Sequence, residues 1–168
     1  MTDDDIPLSI VDVQLDAPGV ADAGLVLLQE RPPPHRYLRI IVGRYEASAI
    51  ATAFHGAPQP RPMSWDLYLE TLDLLRTALV AVIITRVEEG RHFFAEIELQ
   101  PPADVASEAA DGGVDPVRHR LDARPSDALA LAARRDWVAI RATPDVLATA
   151  GIPPVLDEAA GPGETELN

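Results

Sequence analysis

The sequence predicts an α+β fold, a single domain in which helices pack on a mixed β-sheet. Two observations support this prediction. Strand-like and helix-favouring segments follow one another in mixed order along the chain. At 168 residues, the chain has the ordinary length of one domain and is long enough to bury a core. It also contains no cysteine, which excludes disulfides, a thiolate nucleophile and a cysteine-ligated metal.

Six segments are rich in apolar and β-branched residues, as is typical of strands. They are residues 8–15, 24–29, 37–42, 80–87, 92–99 and 137–142. Ala17-Pro18-Gly19 separates the first two, and Glu88-Glu89-Gly90-Arg91 separates the fourth from the fifth, so we expect a hairpin at each place. A seventh, half-buried strand is predicted where Val117, His119 and Leu121 alternate with polar residues.

Four segments favour helix, and each begins near a residue suited to a helix start. They are residues 46–55, 65–78, 128–133 and 144–151. Ser64, Ser126 and Thr143 are the predicted N-caps of the last three helices, and Pro144 takes the first helical position. For the second helix, the spacing of apolar residues predicts a buried face made of Leu67, Thr71, Leu72, Leu75 and Leu79.

One strand–turn–helix corner is predicted with particular clarity. Pro125 fixes its own φ and holds Arg124 in an extended conformation, so the seventh strand ends there and a helix follows. Residues 46–51 align with residues 127–132, with an acid at the start and small residues at the same spacing. An internal strand–turn–helix duplication explains this match, and the independent occurrence of alanine-rich helix starts explains it equally well.

The acidic residues are concentrated at the periphery of the chain. The formal net charge is −13, but residues 1–30, 101–116 and 153–168 contain 15 of the 27 acids and no base, leaving 12 acids among the 14 arginines. No basic stripe typical of a nucleic-acid-binding surface is visible. We expect a domain over residues 1–152, an acidic surface loop at 101–116 and a disordered acidic tail at 153–168.

The sequence shows no signal-type N-terminus and no apolar run near the length of roughly 20 residues that a membrane helix needs. It therefore predicts a cytoplasmic protein without a membrane partner. The strands predicted between residues 8 and 29 leave edges to be covered, which favours a homo-oligomer.

Four acids lie at predicted helix starts or at a strand end: Glu46, Asp66, Asp122 and Asp127. The candidate phosphate ligands near them are Arg44, Arg61, Arg124 and Ser126. If the chain brings these corners together, the carboxylates can activate water for phosphodiester hydrolysis while arginine grips the phosphate. A divalent cation such as Mg²⁺ or Mn²⁺, if one binds, would take its ligands from the acids at the three helix starts. Helix capping and ion pairing explain the same acids without catalysis, at about 0.3–1 kcal/mol each.

The run Arg124-Pro125-Ser126-Asp127-Ala128-Leu129-Ala130-Leu131-Ala132, after a strand ending in Asp122-Ala123, resembles the hallmark of the bifunctional nuclease domain family. The resemblance extends to the blocks at residues 43–50 and 60–67 and to the hairpin ending in Phe93-Phe94-Ala95, and covers residues 37–152. It implies a nuclease acting on DNA and RNA through the carboxylate–arginine cluster, with nucleic acid as partner.

The chain departs from the resembling motif at one position. The family typically has a Thr-His-Asp run where this chain has Ser64-Trp65-Asp66, so the best candidate for acid–base catalysis is missing. The alternative to a nuclease is therefore a non-catalytic binding or regulatory module. In that case the polar cluster is an oligomer interface or a pocket for an anionic ligand.

Overall fold

The computed structural model describes residues 4–102 and 118–154, which form seven strands and four helices and confirm the α+β prediction. The strands are β1 (Ile6–Gln14), β2 (Ala23–Glu30), β3 (Tyr37–Gly43), β4 (Ala78–Glu88), β5 (His92–Gln100), β6 (His119–Ala123) and β7 (Ala139–Ala142). The helices are α1 (Arg44–Phe54), α2 (Ser64–Leu74), α3 (Pro125–Ala132) and α4 (Pro144–Ala150). None of these helices has the length and apolar character needed to cross a membrane.

The strands form one sheet in the order β3-β2-β1-β7-β4-β5-β6. Strands β1 to β3 are an antiparallel meander, and so are β4 to β6. Strand β7 lies between the two meanders, antiparallel to β1 and parallel to β4, so the sheet is mixed. Both hairpins predicted from the sequence, β1–β2 and β4–β5, are confirmed.

The described residues contain the same unit twice, because each meander ends in an edge strand that runs directly into a helix. Strand β3 leads into α1, and β6 leads into α3. The two helices pack against each other, so both strand-to-helix corners belong to one side of the sheet. The topology is thus repeated, while an origin by duplication stays a prediction.

The core lies between the sheet and these two helices. Helix α3 is buried along most of its length, because Ala128, Ala130 and Ala132 are small enough to let it lie close to its neighbours. Helix α1 approaches β2 just as closely: a Cβ at Gly24 would overlap the side chain of Ala47. Glycine at this position is therefore what permits the contact between helix and strand.

A buried ion pair fixes the connection between β2 and β3. Glu30 is only 3% exposed and accepts hydrogen bonds from Nε and Nη2 of Arg36 at 2.9 and 3.0 Å. The backbone N–H of Arg36 donates a third bond to the same carboxylate at 3.1 Å. The side-chain bonds from Arg36 lower the pKa of Glu30 below its ordinary value, outweighing burial, which acts in the opposite direction.

Two predicted helix starts are displaced. Helix α3 begins at Pro125 with Arg124 as its N-cap, so Ser126 lies inside the helix and is buried instead of capping it. Helix α2 begins at Ser64 with Met63 as its N-cap, and the carboxylate of Asp66 accepts the N–H of Met63 at 2.8 Å. Proline at the first helical position explains the α3 start, because its missing N–H costs nothing there.

The predicted buried face of α2 is right only in part. Leu72 and Leu79 are buried as predicted, whereas Leu67 and Leu75 are 61% and 63% exposed. Leu69 is buried instead, and Trp65 packs partly against the core. Positions 65, 69 and 72 also have helical spacing, so the helix has two apolar stripes. The stripe that contains positions 65, 69 and 72 is the one that faces the core. The helix also ends before residue 79, which belongs to β4.

The prediction that His119 and Leu121 alternate with exposed residues on a half-buried strand is also wrong. Both are exposed, as are most residues of β6, because β6 is an edge strand paired only with β5. Most of the acidic loop predicted at residues 101–116 and of the tail predicted at residues 153–168 falls outside the described residues.

Candidate functional site

The acids predicted from the sequence are divided between two places. At the first, the starts of α1 and α3 meet through Glu46, Arg124 and Asp127, here called the corner cluster. Arg124 donates Nε and Nη2 to the two oxygens of Asp127 at 2.7 and 3.1 Å, and Nη1 to Oε1 of Glu46 at 3.3 Å. One guanidinium therefore links the two strand-to-helix corners across 78 residues of sequence.

The corner cluster contains two carboxylates and one guanidinium, so negative charge is in excess. The hydrogen bond to Asp127 is the main cause that raises the pKa of Arg124 above its ordinary value, and Glu46 acts in the same direction. The side chain of Arg124 is nevertheless 66% exposed, so solvent screens the pairing. A guanidinium already engaged by two carboxylates has little charge left for a phosphate, and the contacts favour a brace between the helices.

Glycine before α1 makes room for the brace. The carboxylate of Glu46 folds back over Gly43, the N-cap of α1, and a Cβ at that position would overlap Oε2 of Glu46. Glu46 and Gly43 approach each other at the first turn of α1, where a negative charge also suits the helix dipole. Gly43 thus lets the glutamate lie where Arg124 reaches it.

The second place is an open cleft of about 370 Å³, here called the first cleft, formed by the end of α1, the proline-rich loop after it, and α2. Its lining is partly polar and is completed by Arg134, two residues after the end of α3. The lining residues are Thr52, Ala53, Ala57, Gln59, Pro60, Arg61, Pro62, Asp66, Glu70 and Arg134. The cleft contains two of the predicted site residues, Arg61 and Asp66.

Asp66 is held rigidly in the first cleft by Arg134, whose side chain is only 7% exposed. Nε of Arg134 donates to Oδ1 of Asp66 at 2.7 Å, and Nη1 donates to the carbonyls of Ala130 and Ala49 at 2.7 and 3.3 Å. The ring of Trp65 lies 5.5 Å from the guanidinium carbon. Since the other oxygen of Asp66 accepts a backbone N–H, the carboxylate is fixed in position from both sides.

Arg61 and Glu70 differ from that pair, because neither makes a hydrogen bond or ion pair with another described residue. Pro60 and Pro62 restrict the backbone on both sides of Arg61 and limit the entropy lost when its side chain binds a ligand. Glu70 lies one helical turn after Asp66 on α2, so the two carboxylates share a face of the helix. These two unpaired groups of opposite charge are the part of the cleft available to a ligand.

The remaining predicted site residues lie outside both places. Arg44 pairs with Asp16 at 3.2 Å, on the side of the β1–β2 turn. Asp122 is exposed on β6 and lies directly opposite Glu96 of β5. Ser126 is buried within α3. None of these three residues lines the first cleft or pairs within the corner cluster, and a role for them on a substrate stays a prediction.

The acids expected to bind Mg²⁺ or Mn²⁺ were those at the starts of α1, α2 and α3, and the three do not meet in one place. Asp66 is bound to Arg134, whereas Glu46 and Asp127 are bound to Arg124. The described part of the chain contains no group of three His, Cys, Asp or Glu side chains that could hold a metal ion. These residues do not fit a metal centre built by the protein.

Sequence reasoning missed Glu70 and Arg134. Glu70 had a usable signal, since it follows Asp66 by four residues on a predicted helix and so shares its face. No signal in the sequence pointed to Arg134, because it lies 68 residues from Asp66 and the packing of α3 against α2 brings the two together.

Comparison with known proteins shows the family of this chain. The chain belongs to the bifunctional nuclease domain family, whose model, described as bifunctional nuclease domain, matches residues 26–154. Two similar proteins, both described as uncharacterised, come from Mycobacterium tuberculosis strains CDC 1551 / Oshkosh and ATCC 25618 / H37Rv. Each is 35% identical over 137 residues, which is 80% of this chain and 73% of the relative.

Proposed function

We propose that this protein is a nuclease that hydrolyses phosphodiester bonds of DNA and RNA in the first cleft. Membership of the bifunctional nuclease domain family supports the reaction class. One structural observation supports the location: Arg61 and Glu70, without partners among the described residues, line the same polar cleft as the fixed carboxylate of Asp66. A polar cleft with convergent charged groups is the usual form of such a site.

The chemistry assigns a role to each group in the cleft. Arg61 binds the phosphate and offsets the charge that develops on its oxygens, for which the guanidinium fork is well shaped. Glu70 accepts a proton as water attacks phosphorus, the bond to the leaving oxygen breaks, and solvent protonates that oxygen. Asp66 is a positioning residue: its bond to the N–H of Met63 fixes the start of α2 and hence the placement of Glu70.

The corner cluster has a different part in this proposal. Glu46 and Asp127 hold Arg124 and join α1 to α3, which form one wall of the core beside the cleft. Their substitution is expected to reduce stability before it affects the chemical step. This assignment separates the predicted acids into one group that braces the fold and another that acts on the substrate.

Cleavage of labelled single-stranded DNA and RNA oligonucleotides tests the proposal, with EDTA, Mg²⁺ and Mn²⁺ in parallel. Glu70→Gln is expected to reduce the rate by about 10²–10⁴-fold, as for loss of a general base. Arg61→Ala should reduce it by about 10²–10³-fold through lost charge stabilisation. Arg39→Ala, on the exposed face of β3, is the matched control. Cleavage unaffected by both cleft variants would refute the site, and cleavage only with added metal would refute the metal-free step.

The second candidate, a non-catalytic binding module, is favoured by Trp65. Its ring packs against Arg134 at the position where the resembling family motif has a histidine. This function predicts that the same oligonucleotides bind without being cut, and that Arg61→Ala weakens binding. A binding assay beside the cleavage assay therefore distinguishes the two functions.

Homo-oligomerisation is proposed as well, and the outer stripe of α2 supports it. Leu67, Leu74 and Leu75 are exposed there at helical spacing. Light scattering after size-exclusion chromatography should show a multiple of the chain mass of 18.1 kDa, and Leu74→Glu should lower it. A monomeric wild type would contradict this proposal and leave the cleft unaffected.

A further inference from the structure

A second cleft, of about 310 Å³, adjoins the first, and Ala53 near the end of α1 lines both. Its floor is apolar: Leu8 and Ile10 come from β1, Ile140 from β7, and Val138 immediately precedes β7. A volume of this size is at the lower end of the range for small-molecule sites. The second cleft therefore has the shape of a binding site for one compact unit of a longer ligand.

The lining of the second cleft includes two arginines, Arg31 and Arg135, and a single acid, Asp136. Nε of Arg31 donates to Oγ of Ser9 at 2.8 Å, and no other described residue takes up the rest of its guanidinium. This bond holds the side chain at the rim while its terminal N–H groups remain available. An anionic group is the natural partner for such a fork.

Arg135 is held in place from two sides. Its Nη2 donates to Oδ2 of Asp73 at 2.6 Å, and its guanidinium carbon lies 5.2 Å from the ring centroid of Trp137. A guanidinium fixed in this way loses little conformational entropy when it binds an anion. The two arginines come from segments more than 100 residues apart in the chain, at positions 31 and 135.

An aromatic ring completes the second cleft. Phe54 lines it and remains 39% exposed, and the ring of His55 contacts that of Phe54 edge-on at 5.0 Å. A half-exposed aromatic ring beside an apolar floor offers a surface on which a planar base can stack. The combination of a stacking surface with two cations selects a ligand that is both aromatic and anionic.

We propose that the second cleft is a nucleotide subsite, in which a base stacks on Phe54 and its phosphate is bound by Arg31 and Arg135. Because Ala53 lines both clefts, a single strand can cross the end of α1 with adjacent nucleotides in each cleft. The identity of the strand rests on the proposed nuclease function. The subsite also explains why no basic stripe is visible in the sequence: Arg31, Arg61 and Arg135 come from three separate segments.

Fluorescence anisotropy with a labelled thymidine oligonucleotide tests the subsite, with Glu70→Gln as the background to prevent cleavage. Phe54→Ala is expected to raise Kd by about 5- to 100-fold through lost stacking, and Phe54→Leu should do so while better preserving the fold. Arg31→Ala should raise Kd and also lower the slope of log Kd against log salt by about 0.7, as expected for one lost phosphate contact on a single strand. Arg39→Ala is the control.

Values of Kd within about twofold of the control for both Phe54→Leu and Arg31→Ala would overturn the subsite. A weakened Arg31→Ala variant with an unchanged salt slope would overturn the phosphate contact. Thymidine 5′-monophosphate that competes as strongly as the oligonucleotide would overturn the continuity of the two clefts. Cleavage by the wild type distinguishes failure of the subsite from failure of the nuclease function. If the wild type cleaves but the Phe54 and Arg31 substitutions leave Kd unchanged, only the subsite is refuted. If the wild type does not cleave but these substitutions raise Kd, only the nuclease function is refuted.

Discussion

Replacement of Arg134 by methionine tests the contact that defines the first cleft. Methionine keeps much of the side-chain length and the contact with Trp65 but removes all the hydrogen bonds of the guanidinium. The carboxylate of Asp66 then loses its partner at 2.7 Å, and the carbonyls of Ala130 and Ala49 lose theirs. We expect both a less stable protein and a carboxylate that is no longer fixed.

The size of the effect follows from burial. Breaking a buried ion pair by removing one partner costs about 3–5 kcal/mol, and leaving a buried acceptor unsatisfied costs about 1–3 kcal/mol. Asp66 is 32% exposed, so water replaces part of the lost interaction and lowers the cost. The expected loss in the free energy of unfolding is therefore about 2–4 kcal/mol, equivalent to a fall in Tm of about 4–16 °C.

Urea unfolding followed by tryptophan fluorescence measures this loss, since Trp65 lies beside the substituted side chain. The double-mutant cycle of Arg134→Met with Asp66→Asn should be non-additive by about 1–3 kcal/mol, because both changes break the same pair. Arg39→Met, on the exposed face of β3, is the control and should change stability by less than about 0.5 kcal/mol. A cost for Arg134→Met as small as that of the control, or an additive cycle, would refute the reasoning.

Three further substitutions have expected effects on stability. Gly24→Ala should cost about 1–3 kcal/mol, because the new Cβ overlaps Ala47 of a packed helix. Gly43→Ala should cost less than about 1 kcal/mol, because only the flexible carboxylate of Glu46 must move, and thermal unfolding that reverses this order would contradict the packing. Because pairing with Arg36 lowers the pKa of Glu30, the pairing stabilises the fold fully at pH values above 4.5, the ordinary pKa of this group. This stabilisation is lost as pH falls through the lowered pKa. The stability difference between wild type and Glu30→Gln should therefore shrink on acidification, and a difference constant down to about pH 3 in urea unfolding would contradict the pairing.

The β4–β5 hairpin and the start of α4 were predictable because their signals are local. A turn at residues 88–91 between two β-rich runs needs no tertiary partner to be recognised. Pro144 at the first position of α4 is equally local. The face of α2 was not predictable in this way, since two apolar stripes with helical spacing compete and only the neighbouring helix decides between them.

The site was predictable only in part, for the same reason. Glu46 and Asp127 meet, as their matching places in two strand-to-helix corners suggested. Asp66 does not join them, because α2 packs against the far end of α3 and meets Arg134 there. No spacing in the sequence relates those two residues, so a search limited to acids near helix starts assigns Asp66 to the wrong group.

The repeated topology explains why the two groups of acids have different roles. Each repeat supplies one acid at the start of its helix, and Arg124 pairs with both acids in the corner cluster. The cleft belongs to the proline-rich loop and α2, which follow the first unit and have no counterpart directly after α3, where β7 begins instead. The asymmetric addition supplies Arg61 and Glu70, which have no partner among the described residues and to which the proposed reaction is assigned. Substitutions in the corner cluster therefore test the architecture, whereas those at Arg61 and Glu70 test the reaction.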